Sequence, residues 1–201
     1  MVKTNGLCAA FFGLGIALSV NMFMAPSVSQ AQFGGLNLKD IGPNPLFGPA
    51  RNGDWPSVDY LLKGGTDPNV RDSENGQTPL VMATIGRYFD IVESLLKFGA
   101  RPDMADNFGR TALSWAAELG EYEIAVQLLD ANASPNQQNR EGLTPLMMAI
   151  KGSQPAVVQL LLDRKADLSI RDYTGRGPLD WARTQRNREI ESILRRAGAT
   201  G

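Results

Sequence analysis

Gly109-Arg110-Thr111-Ala112-Leu113 decides how this chain folds, because its pattern returns at a fixed step. Gly76-Gln77-Thr78-Pro79-Leu80 precedes it and Gly142-Leu143-Thr144-Pro145-Leu146 follows it, with Thr78, Thr111 and Thr144 evenly spaced. Gly175-Arg176-Gly177-Pro178-Leu179 continues the same step. Asn44-Pro45-Leu46 stands one step before the Thr78 stretch, with one extra residue near Glu74. The second half of each unit repeats as well: YLLKGGTDPN, SLLKFGARPD, QLLDANASPN and LLLDRKADLS, closing with ILRRAGAT. A period of about 33 residues means stacked supersecondary units, each unable to bury its apolar face alone.

Each place in the unit has a physical reason. Asn44, Thr78, Thr111, Thr144 and Gly177 stand where a helix N-cap belongs, and all are residue types that suit it. Pro45, Pro79, Pro145 and Pro178 follow at the first helical position, where a missing N–H is harmless. Ala112 alone departs. Ala83, Ala116, Ala117, Ala149 and Ala182 let neighbouring first helices approach closely. The second helices present apolar faces, such as Ile91, Val92, Leu95 and Leu96. Gly65, Gly99, Asn132, Lys165 and Gly198 then occupy the left-handed stop, where a lysine costs roughly 1 kcal/mol. Asp106-Asn107-Phe108-Gly109 and its equivalents are turns.

These units resemble ankyrin repeats, in which a turn leads to a short helix opening Thr-Pro-Leu, a second helix and a Gly-Ala-Asp turn. The resemblance covers residues 44–201, in units 44–77, 78–110, 111–143, 144–176 and 177–201. It implies an all-α solenoid of stacked helix-turn-helix units joined by β-turn or hairpin-like tips. One departure is consistent. The family usually places histidine after Thr-Pro-Leu to bond between repeats, and here those places hold Val81, Ser114, Met147 and Asp180. The first unit is irregular too, because Gly48 and Pro49 weaken its first helix and Trp55-Pro56 opens its second. Terminal units of solenoids are atypical.

Composition excludes most enzymology. The chain of 201 residues has no histidine, one cysteine (Cys8) and a net charge of −1. Triads built on histidine and His- or Cys-rich metal sites are therefore absent, and an internal disulfide is impossible. The near-neutral balance gives no electrostatic footprint for nucleic acid. No cofactor and no metal is expected. The Arg-rich end (Arg183, Arg186, Arg188, Arg195, Arg196) belongs to a stretch, 144–201, with 10 basic against 6 acidic residues, which fits a polar cap better than a phosphate or membrane site. Residues 111–143 hold five acidic residues and one basic, and this asymmetry serves either partner steering or ion pairs between repeats. Glu118, Glu121 and Glu123 read as a solvated acidic face and not as acid–base machinery, with 118 and 121 on one helix face. Trp115 and Trp181 read as packed between helices.

The amino end is expected to be an address. Lys3 precedes an apolar run, Leu7 to Val20, and a small-residue site at Ser29 and Ala31. That is the layout of a cleaved signal peptide over 1–31, and the run is short for a membrane span. An uncleaved anchor is the alternative. Residues 32–43 read as a linker that docks on the first repeat through Leu36, Leu38 and Ile41. An exported, monomeric chain without a membrane span after cleavage follows, periplasmic if the host is a Gram-negative bacterium.

The resemblance further implies binding of a protein partner on a concave face built from turn tips and the open side of each first helix. Carried over place by place, that face includes Gln77, Ile85, Asn107, Phe108, Arg110, Glu118, Leu119, Arg140, Glu141, Leu143, Lys151, Tyr173, Arg176, Thr184 and Gln185. Phe108, Arg110, Leu119, Arg140, Glu141, Leu143, Tyr173 and Arg176 are its expected contact residues, since aromatics and arginines dominate interfaces. A tip aromatic can equally pack on its own turn. The functional expectation is a non-enzymatic binding module that stabilises or anchors an exported enzyme. The alternative is a secreted effector or toxin-related protein acting on a host or rival cell.

Overall fold

Thr78, Thr111 and Thr144 each start a helix in the computed structural model, which describes residues 44–199. Their side-chain hydroxyls accept from the amides of Val81, Ser114 and Met147 at 3.2–3.3 Å. Pro79, Pro145 and Pro178 sit at the first helical position, as the caps require. Gly177 has no side chain to cap with. Its amide instead donates to Asp180 Oδ2 at 3.0 Å, at the place where the family carries histidine.

The described residues form helices in pairs: α1 (Phe47–Asn52) and α2 (Trp55–Lys63), α3 (Pro79–Ile85) and α4 (Phe89–Lys97), α5 (Ala112–Leu119) and α6 (Tyr122–Asp130), α7 (Pro145–Lys151) and α8 (Pro155–Asp163), α9 (Pro178–Thr184) and α10 (Arg188–Arg196). No strand occurs among them. First helices stack on first helices and second on second, giving a two-layered solenoid. The alanines of the first helices are fully buried, so adjacent backbones approach closely. Leu80, Leu113, Leu146, Ile91, Leu128 and Leu161 fill the space between layers. The unit that opens the series differs in one respect. Asn44 Oδ1 accepts from Leu46 N at 2.9 Å, but the helix begins only at Phe47. Gly48 and Pro49 then fall in its first turn, where free amides are normal and the proline ring is tolerated.

The left-handed stops fall where the repeat places them, at Gly65, Gly99, Asn132, Lys165 and Gly198. A second left-handed set, one between the helices of each pair, comprises Gly53, Arg87, Gly120, Ser153 and Arg186, three of them not glycine. Without histidines, polar links between repeats run elsewhere. Asn69, Asp103 and Asn136 each accept, at 2.8 Å, a backbone amide from the next unit: Arg101, Ser134 and Asp167. Val81 and Met147, in histidine places, are buried apolar residues. The signal and linker expectations, including Leu36, Leu38 and Ile41, lie outside the described residues.

Candidate functional site

Each tip begins with Asp72, Asp106, Asn139 or Asp172, whose side chain organises the turn. Asp106 Oδ1 accepts from the amides of Phe108 and Arg110 at 2.8 and 2.9 Å. Asn139 does the same for Glu141 and Leu143, both at 2.9 Å, and Asp172 for Thr174 and Arg176 at 2.8 and 3.0 Å. The turn closes by an amide-to-carbonyl bond from Asp106 to Arg110, Asn139 to Leu143 and Asp172 to Arg176. In the first tip the bond runs from Asp72 to Gln77, one residue longer, which is where the extra residue near Glu74 is absorbed. Successive tips are tied by Asn107 N to Asn75 O (2.8 Å), Arg140 N to Phe108 O (3.0 Å) and Tyr173 N to Glu141 O (3.2 Å). Gly142 shows why the tip glycines stand where they do. It is left-handed, and a Cβ there would lie 2.6 Å from Tyr173 N in the next tip.

Beneath two of these tips lies a shared arrangement. Trp115 Nε1 donates to Asp106 Oδ2 at 3.1 Å, and the Arg110 guanidinium lies 3.6 Å from the Trp115 ring centre and 5.2 Å from that of Phe108. Trp181 Nε1 donates to Asp172 Oδ2 at 2.9 Å, with Arg176 4.2 Å from the Trp181 ring centre. Such stacking of a guanidinium on indole fixes the arginine and the tip together. Burial acts to raise the pKa of Asp172. Hydrogen bonds from the Thr174 hydroxyl, the Arg176 and Thr174 amides and the Trp181 indole outweigh it and hold the carboxyl at about 2. The indoles of Trp115 and Trp181 are thus partners of tip carboxylates as well as packing elements. The signal lies in the sequence, since Asp106, Arg110 and Trp115 recur two repeats later as Asp172, Arg176 and Trp181.

The expected contact residues divide accordingly. Phe108 and Tyr173 project from their tips, 55% and 71% exposed. Arg140 and Glu141 are also exposed, on the tip between them, and form no ion pair among the described residues. Leu119 is half-buried at the end of α5. Arg110 and Arg176 reach the same surface, but each is stacked on its tryptophan and lies near its tip carboxylate, at 3.5 and 3.4 Å. Leu143 does not belong to the surface. It is 1% exposed, because it occupies the place of Arg110 and Arg176 on a tip whose following helix has Met148 where theirs have tryptophan, and it joins that methionine in the apolar core.

Of the remaining places, Gln77 and Ile85 are half-buried and Asn107, Lys151, Thr184 and Gln185 exposed. Glu118 and Glu121 do not share a helix, since the chain turns at left-handed Gly120 between α5 and α6. Glu118 pairs with Lys151 at 3.2 Å and Glu121 with Arg87 at 3.0 Å, joining adjacent units. Arg164 reaches Asp130 at 2.8 Å in the same way. Glu118, Glu121 and Asp130 of the acidic stretch therefore join adjacent repeats, each pair worth at most about 1 kcal/mol at the surface, while Glu123 and Glu141 enter no ion pair among the described residues. Among the described residues no side-chain group is arranged to hold a metal ion, and no helix is long and apolar enough to cross a membrane.

Comparison with known proteins places this architecture. The model for ankyrin repeats (three copies) matches residues 46–139 and 123–200. Transient receptor potential cation channel subfamily A member 1 of Homo sapiens is 48% identical over 56 residues, which is 28% of this chain and 5% of that protein. Inversin of Gallus gallus is 37% identical over 73 residues, 36% of this chain and 7% of its own length. A putative ankyrin repeat protein of Rickettsia felis is 34% identical over 76 residues, 38% of this chain and 25% of that protein. The chain thus spans a quarter or less of these relatives.

Proposed function

The chain belongs to the ankyrin repeat family, and from that premise we propose that it is a non-enzymatic module that binds a protein partner through its tips and the open side of its first helices. Ankyrin repeats generally mediate protein–protein interaction. The observation that carries the reading is the pair Phe108 and Tyr173. Both are large, exposed aromatics, and they sit on tips whose backbones are bonded into one ladder, so little order has to be gained on binding. Arg140 and Glu141 lie on the tip between them and supply charge without a competing partner in the described chain.

The place of action proposed with it is outside the cytoplasm. The amino-terminal pattern of Lys3, an apolar run and the small residues Ser29 and Ala31 supports export, and the partner is then an exported enzyme that the solenoid stabilises or holds at the envelope. Phe108→Ala with Tyr173→Ala is expected to weaken partner capture from an envelope extract by about a hundredfold, with the helical circular dichroism unchanged. Undiminished capture overturns the assignment of the surface. Fractionation with mass spectrometry of the amino terminus tests the location. A mature chain beginning near Gln32 outside the cytoplasm is expected, and an intact Met1 inside it overturns export.

A further inference from the structure

The second helices carry a feature that the tip surface does not explain. α2, α4 and α6 begin with Trp55, Phe89 and Tyr122, which are 44, 41 and 43% exposed. The fold does not require an aromatic there, since α8 begins with Pro155 and α10 with Arg188. Trp55 is held in place, because its indole N–H donates to Ser94 Oγ of α4 at 2.9 Å. It walls a groove of about 400 Å³ between α2 and α4, lined also by Asp59, Asp90, Glu93, Phe98 and a single cation, Lys97. Asp90 and Glu93 are exposed and enter no ion pair among the described residues. Residues 54–63, 89–97 and 121–130 hold seven acidic residues against two lysines; Lys63, Arg87 and Arg164 pair with Asp59, Glu121 and Asp130, and Asp54, Asp90, Glu93 and Glu123 enter no ion pair among the described residues.

We propose that this face of α2, α4 and α6 is a second docking surface, one that takes a lysine- and arginine-rich segment of a protein partner, its cations set over the Trp55, Phe89 and Tyr122 rings and beside Asp90 and Glu93, while Asp59 stays paired with Lys63 at 2.6 Å. The charge of the face selects the occupant, because an acidic surface with exposed aromatic rings attracts cations by both Coulomb and cation–π terms. Neighbouring packed helices lie about 8–10 Å apart, and an extended chain advances about 3.3 Å per residue, so a segment crossing the three helices meets a ring at about every third residue. This inference stands apart from the tip surface and does not depend on it.

The test uses the full chain and a fluorescein-labelled peptide of about ten residues with arginine at every third position. Anisotropy titrations at about 50 mM salt are expected to show binding that Asp90→Asn with Glu93→Gln weakens about tenfold and Trp55→Ala about fivefold. Trp55→Phe keeps a ring and is expected to lose less than about twofold, which guards against a folding defect in the alanine variant. Raising the salt to about 500 mM weakens binding further, whereas Phe108→Ala leaves it unchanged. Asp163→Asn with Glu189→Gln, an equal charge change on α8 and α10, is the control. Equal weakening by the control means that the peptide reads net charge alone, and loss by Phe108→Ala means that it lies on the tips; either overturns the proposal. Sedimentation of the chain without peptide covers the remaining occupant. Self-association abolished by Asp90→Asn with Glu93→Gln makes the face a contact between copies and overturns the partner assignment.

Discussion

The tips that lead into the third and fourth units, those of Asp106 and Asn139, share a backbone and have opposite chemistry beneath it. In both, a side-chain oxygen at the first position accepts two amides of the turn, at 2.8 and 2.9 Å from Asp106 and at 2.9 Å twice from Asn139. Below Asp106 lie Arg110 and Trp115; below Asn139 lie Leu143 and Met148, both essentially buried. Three positions differ together, and the reason is electrostatic. A carboxylate has a second oxygen that needs a donor when buried, and the indole provides it, with the guanidinium 3.5 Å away as the balancing charge. An asparagine carries no charge to balance, so its neighbours can be apolar. The Asp172 tip repeats the charged solution. The Asp72 tip is a mixture in which Gln77 and Met82 stand beside the aspartate, and its Oδ2 is buried without a hydrogen bond.

Mixing the two chemistries in one tip has the largest expected effect. Leu143→Arg alone puts a guanidinium over Met148 at a position that is 1% exposed, with no carboxylate at Asn139 to meet it. A loss of about 3 kcal/mol in unfolding free energy is expected, read from urea denaturation. Asn139→Asp and Met148→Trp added together should recover more than half of that loss, because they rebuild the arrangement of the Asp106 and Asp172 tips. Simple additivity of the three changes would show that the positions act independently, and the explanation of the tips would fail.

The same contrast separates what the sequence made legible from what it hid. Caps, prolines, buried alanines and left-handed stops follow from single residues with strong local preferences, so Thr78, Ala116 and even Lys165 stand as read. Leu143 defeats a reading by rank in the repeat, because what lies beneath the position decides its direction. Arginine at that rank reaches the surface over tryptophan, while leucine turns inward over methionine. Arg110 and Trp115 are close enough in the chain to be read as a pair, and their recurrence at Arg176 and Trp181 is the available signal. The links from Asn69, Asp103 and Asn136 to the next unit are not legible in the same way. They depend on how far one repeat advances past another, which no local preference reports.

Acid distinguishes the Asp172 tip from the Asn139 tip. The Asp172 carboxyl, held at about 2, has an unfolded value near 3.9. A lowered pKa gives stability that is complete above the unfolded value and fades as pH falls from about 4 towards 2, where the folded carboxyl takes up its proton. The amount is about 2 kcal/mol. Asp172→Asn should cost about that much at neutral pH, since an amide nitrogen facing the Trp181 N–H cannot accept from it. It should also flatten the acid limb of the stability curve. Unfolding midpoints between about pH 2 and 7 measure both effects, and an unchanged acid limb would remove Asp172 as its source.

The smallest effect is expected where the arrangement is incomplete. Asp72 Oδ1 accepts the amides of Glu74, Asn75 and Gly76, and those bonds survive in an asparagine. Its other oxygen accepts nothing, and Arg51, more than half exposed, comes only to 3.8 Å. Asp72→Asn therefore removes a buried charge that lacks a donor and gives up one weak, solvent-screened ion pair, two terms of opposite sign and about equal size. Stability should change by less than about 0.5 kcal/mol, against about 2 kcal/mol for the same substitution at Asp172. Urea midpoints for Asp72→Asn, with Arg51→Ala beside it, separate the terms. A loss above about 1 kcal/mol from both variants would mean that Arg51 replaces tryptophan and arginine as the donor, and that the Asp72 tip is a third working solution and not an unfinished one.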